Sequence, residues 1–185
     1  MVQDLATQAM TTAVSRMTDD RWLRIAAIVF TVAVVAHNGD HWRRGGDSVT
    51  AQVFWVGSVA IVVEVAVVLL VFLRHPSAAL AAVAAGFGLA AGYILVHFTP
   101  NRGWLSDSLT GGDASWVTVL AALIETVAAL GLGIAGLQSL REAGIASAAP
   151  GHAPISLTRG VTHPVVAAMI IGNIVIFAGS AATRW

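Results

Sequence analysis

The chain has 185 residues, no net formal charge, 57% apolar and only 11% charged residues, and a mean hydropathy of +0.79. That balance excludes an ordinary soluble domain, and the lack of a basic excess excludes an electrostatic nucleic-acid partner. The absence of cysteine also excludes disulfides, thiolate metal sites and covalently attached haem.

In chain order, residues 1–20 are polar and end in Asp19-Asp20, good N-cap chemistry, so a loose or surface-lying segment is expected there. A first apolar helix is predicted from about Trp22 to about Trp42, with a tryptophan at each water boundary. Arg21 and Arg24 before a short apolar run, with Val34 and Ala36 ahead of His37, form a competing signal-peptide reading. A polar loop with Arg43, Arg44, a glycine pair and Asp47 follows. The second helix, about 53–73, stops at Arg74-His75-Pro76, because proline cannot continue it. The third, about 78–98, ends in the turn-forming run Thr99-Pro100-Asn101-Arg102-Gly103. After a loop holding Trp104, Asp107 and Asp113, a fourth helix runs from about Ser115 to about Leu140. Residues 142–163 read as a linker, and a fifth helix occupies 164–185, opened by Pro164 in a favoured first-turn position.

These apolar runs are long enough to cross ~30 Å of hydrocarbon, which takes ~20 helical residues. The expected fold is therefore an all-α polytopic membrane bundle with the lipid bilayer as its partner. Its segments are a polar 1–20, two helix pairs at 21–73 and 78–141, and a fifth C-terminal spanning helix. All ten basic residues are arginine, a composition that suggests a bacterial inner-membrane protein. Six arginines fall on the N-terminal side of the expected topology and four on the other. This places the N-terminus in the cytoplasm and the C-terminus outside.

The two helix pairs look like copies. His37 precedes Asp47-Ser48-Val49-Thr50 as His97 precedes Asp107-Ser108-Leu109-Thr110, and Trp55-Val56 precedes Glu64 as Trp116-Val117 precedes Glu125. The offset is 60 residues in the loop and 61 in the following helix. The identities fall on scarce residues: two of only three glutamates share the repeated position. A tandem duplication with both copies in one orientation implies a pseudo-twofold axis along the membrane normal. Helices 1 and 3 are then equivalent, as are 2 and 4.

Glu64 and Glu125 would lie ~15 Å deep, where a carboxylate facing lipid is costly. Both share stripes with small residues: Gly57 and Ala60 for the first, Thr118 and Ala121 for the second. They are expected to face helix contacts and each other, as a pair able to hold a proton, share a cation or act as acid and base. His37 and His41 stand at i and i+4 with Asp40 between them, and His97 joins by symmetry. With Asp47 and Asp107, this donor set suits a transition metal such as Zn, Cu or Fe. By helical rise the histidines should lie ~8 Å above the glutamates.

The bland alternatives are protonated glutamates locking the bundle, histidines as polar helix ends, and Asp-Ser-x-Thr elements as turns and caps. Haem b between His37 and His97, a proton-coupled carrier using the glutamates, and an accessory subunit are the competing functions. Helix 3 carries small residues on two stripes, so it is expected in the centre, with a homodimer through Gly88 and Gly92.

Overall fold

The structure is a computed structural model that describes residues 2–45, 49–100, 103–111 and 114–147. The linker and fifth helix expected over 142–185 lie largely outside these residues, as do Asp47 and Ser48. Among the described residues the fold is all-helical: α1 (Val2–Arg44), α2 (Ala51–Phe72), α3 (Ala78–Tyr93) and α4 (Trp116–Ser147). A π-helical turn, Ile94–Phe98, prolongs α3, and two 3-10 turns, Gly103–Leu105 and Leu109–Gly111, shape the loop before α4. Four segments are long and apolar enough to cross a membrane: Arg21–Arg44, Ala51–Phe72, Ala78–Phe98 and Trp116–Ala143.

The helix ends follow local chemistry. Gly45, at φ +90°, closes α1 by donating its N–H to the His41 carbonyl, the left-handed terminator that glycine adopts without strain. The Thr50 hydroxyl accepts from Val53 N–H at 3.2 Å and starts α2, which is the capping role expected for the first Asp-Ser-x-Thr element. At the far end Arg74 takes φ 53°. Its N–H bonds to the Val71 carbonyl while His75 N–H reaches the Leu70 carbonyl, a Schellman arrangement that Pro76 makes final. Ser108 bonds to the Thr99 carbonyl and to Thr110, so the second Asp-Ser-x-Thr element ties its loop to the end of α3. Ser115, rather than Thr110, caps α4 through Thr118 N–H.

The N-terminus differs from expectation. Residues 2–20 contain no proline or glycine, so nothing interrupts the backbone, and α1 runs continuously from Val2. Asp19 and Asp20 sit inside that helix instead of capping it. At the other end α4 continues to Ser147, past the expected stop near Leu140.

The bundle closes as a ring in which α1 packs on α2 and α4, and α3 packs on α2 and α4. Helix α4, not α3, is the most enclosed. The reason is backbone contact between α3 and α4. A Cβ on Gly86 would lie 2.4 Å from the Gly133 nitrogen, and one on Gly136 would lie 2.6 Å from the Ala79 carbonyl. Close approach thus occurs at Gly86, Gly133 and Gly136.

Each helix buries a stripe at helical spacing: Leu23, Ala27, Phe30 and Ala33 on α1; Val63, Val67 and Leu70 on α2. The same holds for Ala82, Ala85 and Leu89 on α3, and for Ala122, Ala129 and Leu132 on α4. The outward faces are Val, Ile, Leu and Phe, such as Val32, Val62, Val65 and Val127, a surface suited to acyl chains. Trp42, Trp55 and Trp116, all more than two-thirds exposed, ring one end at headgroup level, and Trp22 marks the other.

Gly86→Leu should lower bundle stability by about 3 kcal/mol or more, since the new side chain meets backbone that cannot repack. Gly131→Ala, where an added Cβ meets nothing within 4 Å, should stay within about 0.5 kcal/mol of wild type. Thermal unfolding of both variants in detergent checks the contrast.

Candidate metal centre

The buried stripe of α1 does not stop at Ala33. Its next two positions are His37 and Asp40, both buried, so the periodicity that buries Phe30 also carries polar groups into the bundle. On α3 the stripe passes Leu89 and Tyr93 and ends at His97, which the π-helical turn holds inward at 4% exposure. Single π turns of this kind occur often at functional sites. On α4 the stripe begins at Thr118 and reaches Glu125, 1% exposed. On α2 it includes Glu64, 4% exposed.

Three imidazoles meet at this end of the bundle. His37 and His97, from helices that sit diagonally across the ring, have centroids 4.9 Å apart. His41 stands 4.6 Å from His37. One nitrogen from each of the three lies within 4.8 Å of the others, so the group could hold a metal ion. Glu125 Oε2 lies 3.6 Å from His37 Nε2.

The histidine and glutamate layers therefore touch, although helical rise alone separates them by ~8 Å. Side chains lean towards the N-terminus of their own helix. Helices α1 and α4 run in opposite directions, so His37 leans deeper and Glu125 leans back towards it. Side-chain reach closes the remaining gap.

Proton positions follow from the neighbours. Arginine only donates, so the contact of Arg44 Nη2 with His41 Nδ1 at 2.8 Å makes that nitrogen an acceptor. The proton of neutral His41 is then on Nε2, donated to His37 Nε2 at 3.0 Å. His37 in turn carries its proton on Nδ1, which has no hydrogen-bond partner. His97 Nδ1–H donates to the Asp107 backbone carbonyl at 3.2 Å, which leaves its Nε2 lone pair free for the cluster. These tautomers are assigned from the hydrogen-bond network.

The aspartates serve the arginines. Asp40 accepts from Arg43 at 2.7 Å and from Arg44 at 3.1 Å. Asp107 accepts from Arg44 at 2.9 and 3.1 Å. Arg43 also reaches Ser115 and Thr118, so α1 is tied to the start of α4. Of Asp40 and Asp107, singled out in the sequence as candidate metal ligands, Asp107 also contacts His97, while Asp40 pairs with the two arginines. Asp47 lies outside the described residues.

Asp107 is outside the spanning segments. Burial works to push its carboxyl up. The hydrogen bonds and charge of Arg44, with His97 and His41, outweigh that and hold it below the usual carboxylate range.

Deeper in, the Tyr93 hydroxyl donates to Glu64 Oε1 and interacts with Glu125 as well. Tyr93 thus hydrogen-bonds one glutamate and lies within electrostatic reach of the other, on the diagonal helix. One oxygen of each, Glu64 Oε2 and Glu125 Oε2, is buried without a hydrogen-bond partner. Neither Tyr93 nor Arg44 was marked as a site residue from the sequence. Tyr93 is the only tyrosine of the chain and shares the His97 stripe, which is the signal that could have found it.

The histidine geometry does not favour a haem. A porphyrin between His37 and His97 needs two rings held apart on its opposite faces, whereas these are in edge-to-face contact at 73°. Comparison with known protein families, curated proteins and solved structures gives no match.

Because the Asp107 carboxyl is held low, its pairing contributes stability that is complete above the unfolded value near 4 and is lost as pH falls through the lower native value. Asp107→Asn should lower the melting temperature at pH 7, and the difference from wild type should shrink below about pH 4. A difference that persists unchanged to about pH 2 would contradict the pairing.

Proposed function

We propose that the bundle holds a transition-metal ion on its axis, just beneath one membrane surface, and uses it on a membrane-accessible ligand. The ligands are His37, His41, His97 and Glu125. The observation that carries this reading is the convergence of three imidazole nitrogens within 4.8 Å, two of the histidines being buried. In a tetrahedral site with bonds of ~2.0–2.1 Å, ligand atoms stand about 3.4 Å apart. The 3.0 Å from His37 to His41 and the 3.6 Å from His37 to Glu125 bracket that separation. An imidazole cluster with one carboxylate suits Zn, Cu or Fe better than the hard cations.

Ligation through His41 Nε2 requires its proton on Nδ1, with Asp40 or Asp107 as acceptor and Arg44 turned wholly to the acids. Carboxylates behind metal-bound histidines are the usual second partners. The arginine bias supports a site opening on the non-cytoplasmic face of a bacterial inner membrane. The matched His and Glu positions support descent from a duplicated two-helix hairpin.

The test is metal content and affinity. Purified protein should bind about one Zn2+ at the imidazole cluster, and His37→Ala plus His97→Ala should weaken that binding by about 100-fold or more. Competition with a zinc chelator reads the affinity, and circular dichroism shows that the variant remains helical. Wild-type protein that neither carries nor takes up Zn, Cu or Fe would overturn the proposal.

A further inference from the structure

Below the histidines lies a second set of donors that the imidazole site does not use. Glu64 and Tyr93 are linked by a hydrogen bond, and Tyr93 also interacts with Glu125. Glu64 is 4% exposed and Glu125 1%. Glu64 keeps Oε2 without a hydrogen-bond partner, whereas the unpartnered oxygen of Glu125, also Oε2, is the one turned to His37. Buried polar atoms are nearly always paired, and a buried unpaired oxygen is a reason to look for an ion or a proton. Among the described residues no arginine pairs with either glutamate: Arg43 and Arg44 are committed to Asp40 and Asp107.

Glu125 stands between the two groups. Its Oε2 faces His37, and its carboxyl also acts on Tyr93. A carboxylate so placed can bind one ion through each oxygen, which is how paired metal ions ~3.5–4 Å apart are held.

We infer that Glu64, Tyr93 and Glu125 form a second cation site, sharing Glu125 with the imidazole site to make a carboxylate-bridged pair. Its donors are all oxygen, so it takes a harder divalent ion than three imidazoles select, with Mn2+ a suitable probe for both positions. Two ionised glutamates beside two divalent ions also answer a charge problem. Neither the ions nor the carboxylates would be stable alone at this depth, and each offsets the desolvation of the other. The inference rests on Glu125 as a ligand of the proposed histidine site, and the two can fail separately.

The experiment is Mn2+ titration of the full-length protein in detergent, read by bound-metal analysis and electron paramagnetic resonance. Wild type should take up about two Mn2+ per chain and show a spin-coupled signal, as expected for ions ~3.5–4 Å apart. Glu64→Gln keeps the shape and the acceptor for Tyr93, so folding is preserved. It should leave about one Mn2+, uncoupled, at the imidazoles. One uncoupled Mn2+ in both wild type and Glu64→Gln would overturn the second site and leave the histidine site standing. No uptake of Mn2+ or Zn2+ by wild type would overturn both.

Discussion

The structure depends on one constraint: a polar side chain turned away from water inside hydrocarbon must find its partner within the protein. Phe30, Val67 and Leu132 can fill the interior of this bundle with no further requirement. His37, Asp40, Glu64, His97 and Glu125 cannot, yet they occupy the same buried stripes. Among the described residues their partners are one another, Tyr93, Thr118, Asp107 and the two arginines at the end of α1. The result is a continuous polar column on the bundle axis, running from Asp107 and Arg44 through the histidines to Glu125, Tyr93 and Glu64.

The α3–α4 seam makes this column narrow. With backbone against backbone at Gly86 and Gly136, α4 is drawn inward and Glu125 is brought under His37. Arg44 sits at the junction, touching His41, Asp40 and Asp107 at once. It therefore connects the loop before α4 to the tautomer of an imidazole. In the account proposed here, a metal ion would compete with that contact, so occupancy of the site and anchoring of the loop are linked.

Much of this was legible in the sequence for identifiable reasons. Hydropathy and punctuation at Pro76, Pro100 and Gly45 reveal the four described helices long and apolar enough to span a membrane, because hydrocarbon thickness fixes such a length and turn residues fix the ends. The matched spacing of His37 with His97 pointed to side chains that the structure brings together. What escaped were matters of direction and of long-range contact. The touching of the two layers depends on the opposite lean of side chains on antiparallel helices, which residue counting ignores. The contact of Arg44 with the His41 ring, made while it pairs with Asp107, depends on a loop folding back 63 positions away in the chain. Tyr93 looked like one more member of a small-residue stripe, and the glycines of the α3–α4 seam are recognisable only once the facing helix is known. The continuation of α1 back to Val2 was missed because polarity was read as looseness, although that segment contains nothing that breaks a helix.

X-ray absorption at the zinc edge, on Zn2+-loaded protein in native-like membranes, tests the proposed centre most directly. The account predicts about four nitrogen and oxygen neighbours at ~2.0–2.1 Å, with the outer-ring scattering of three imidazoles. A first shell made of water and carboxylate oxygen, with imidazole scattering from one histidine or none, would contradict it.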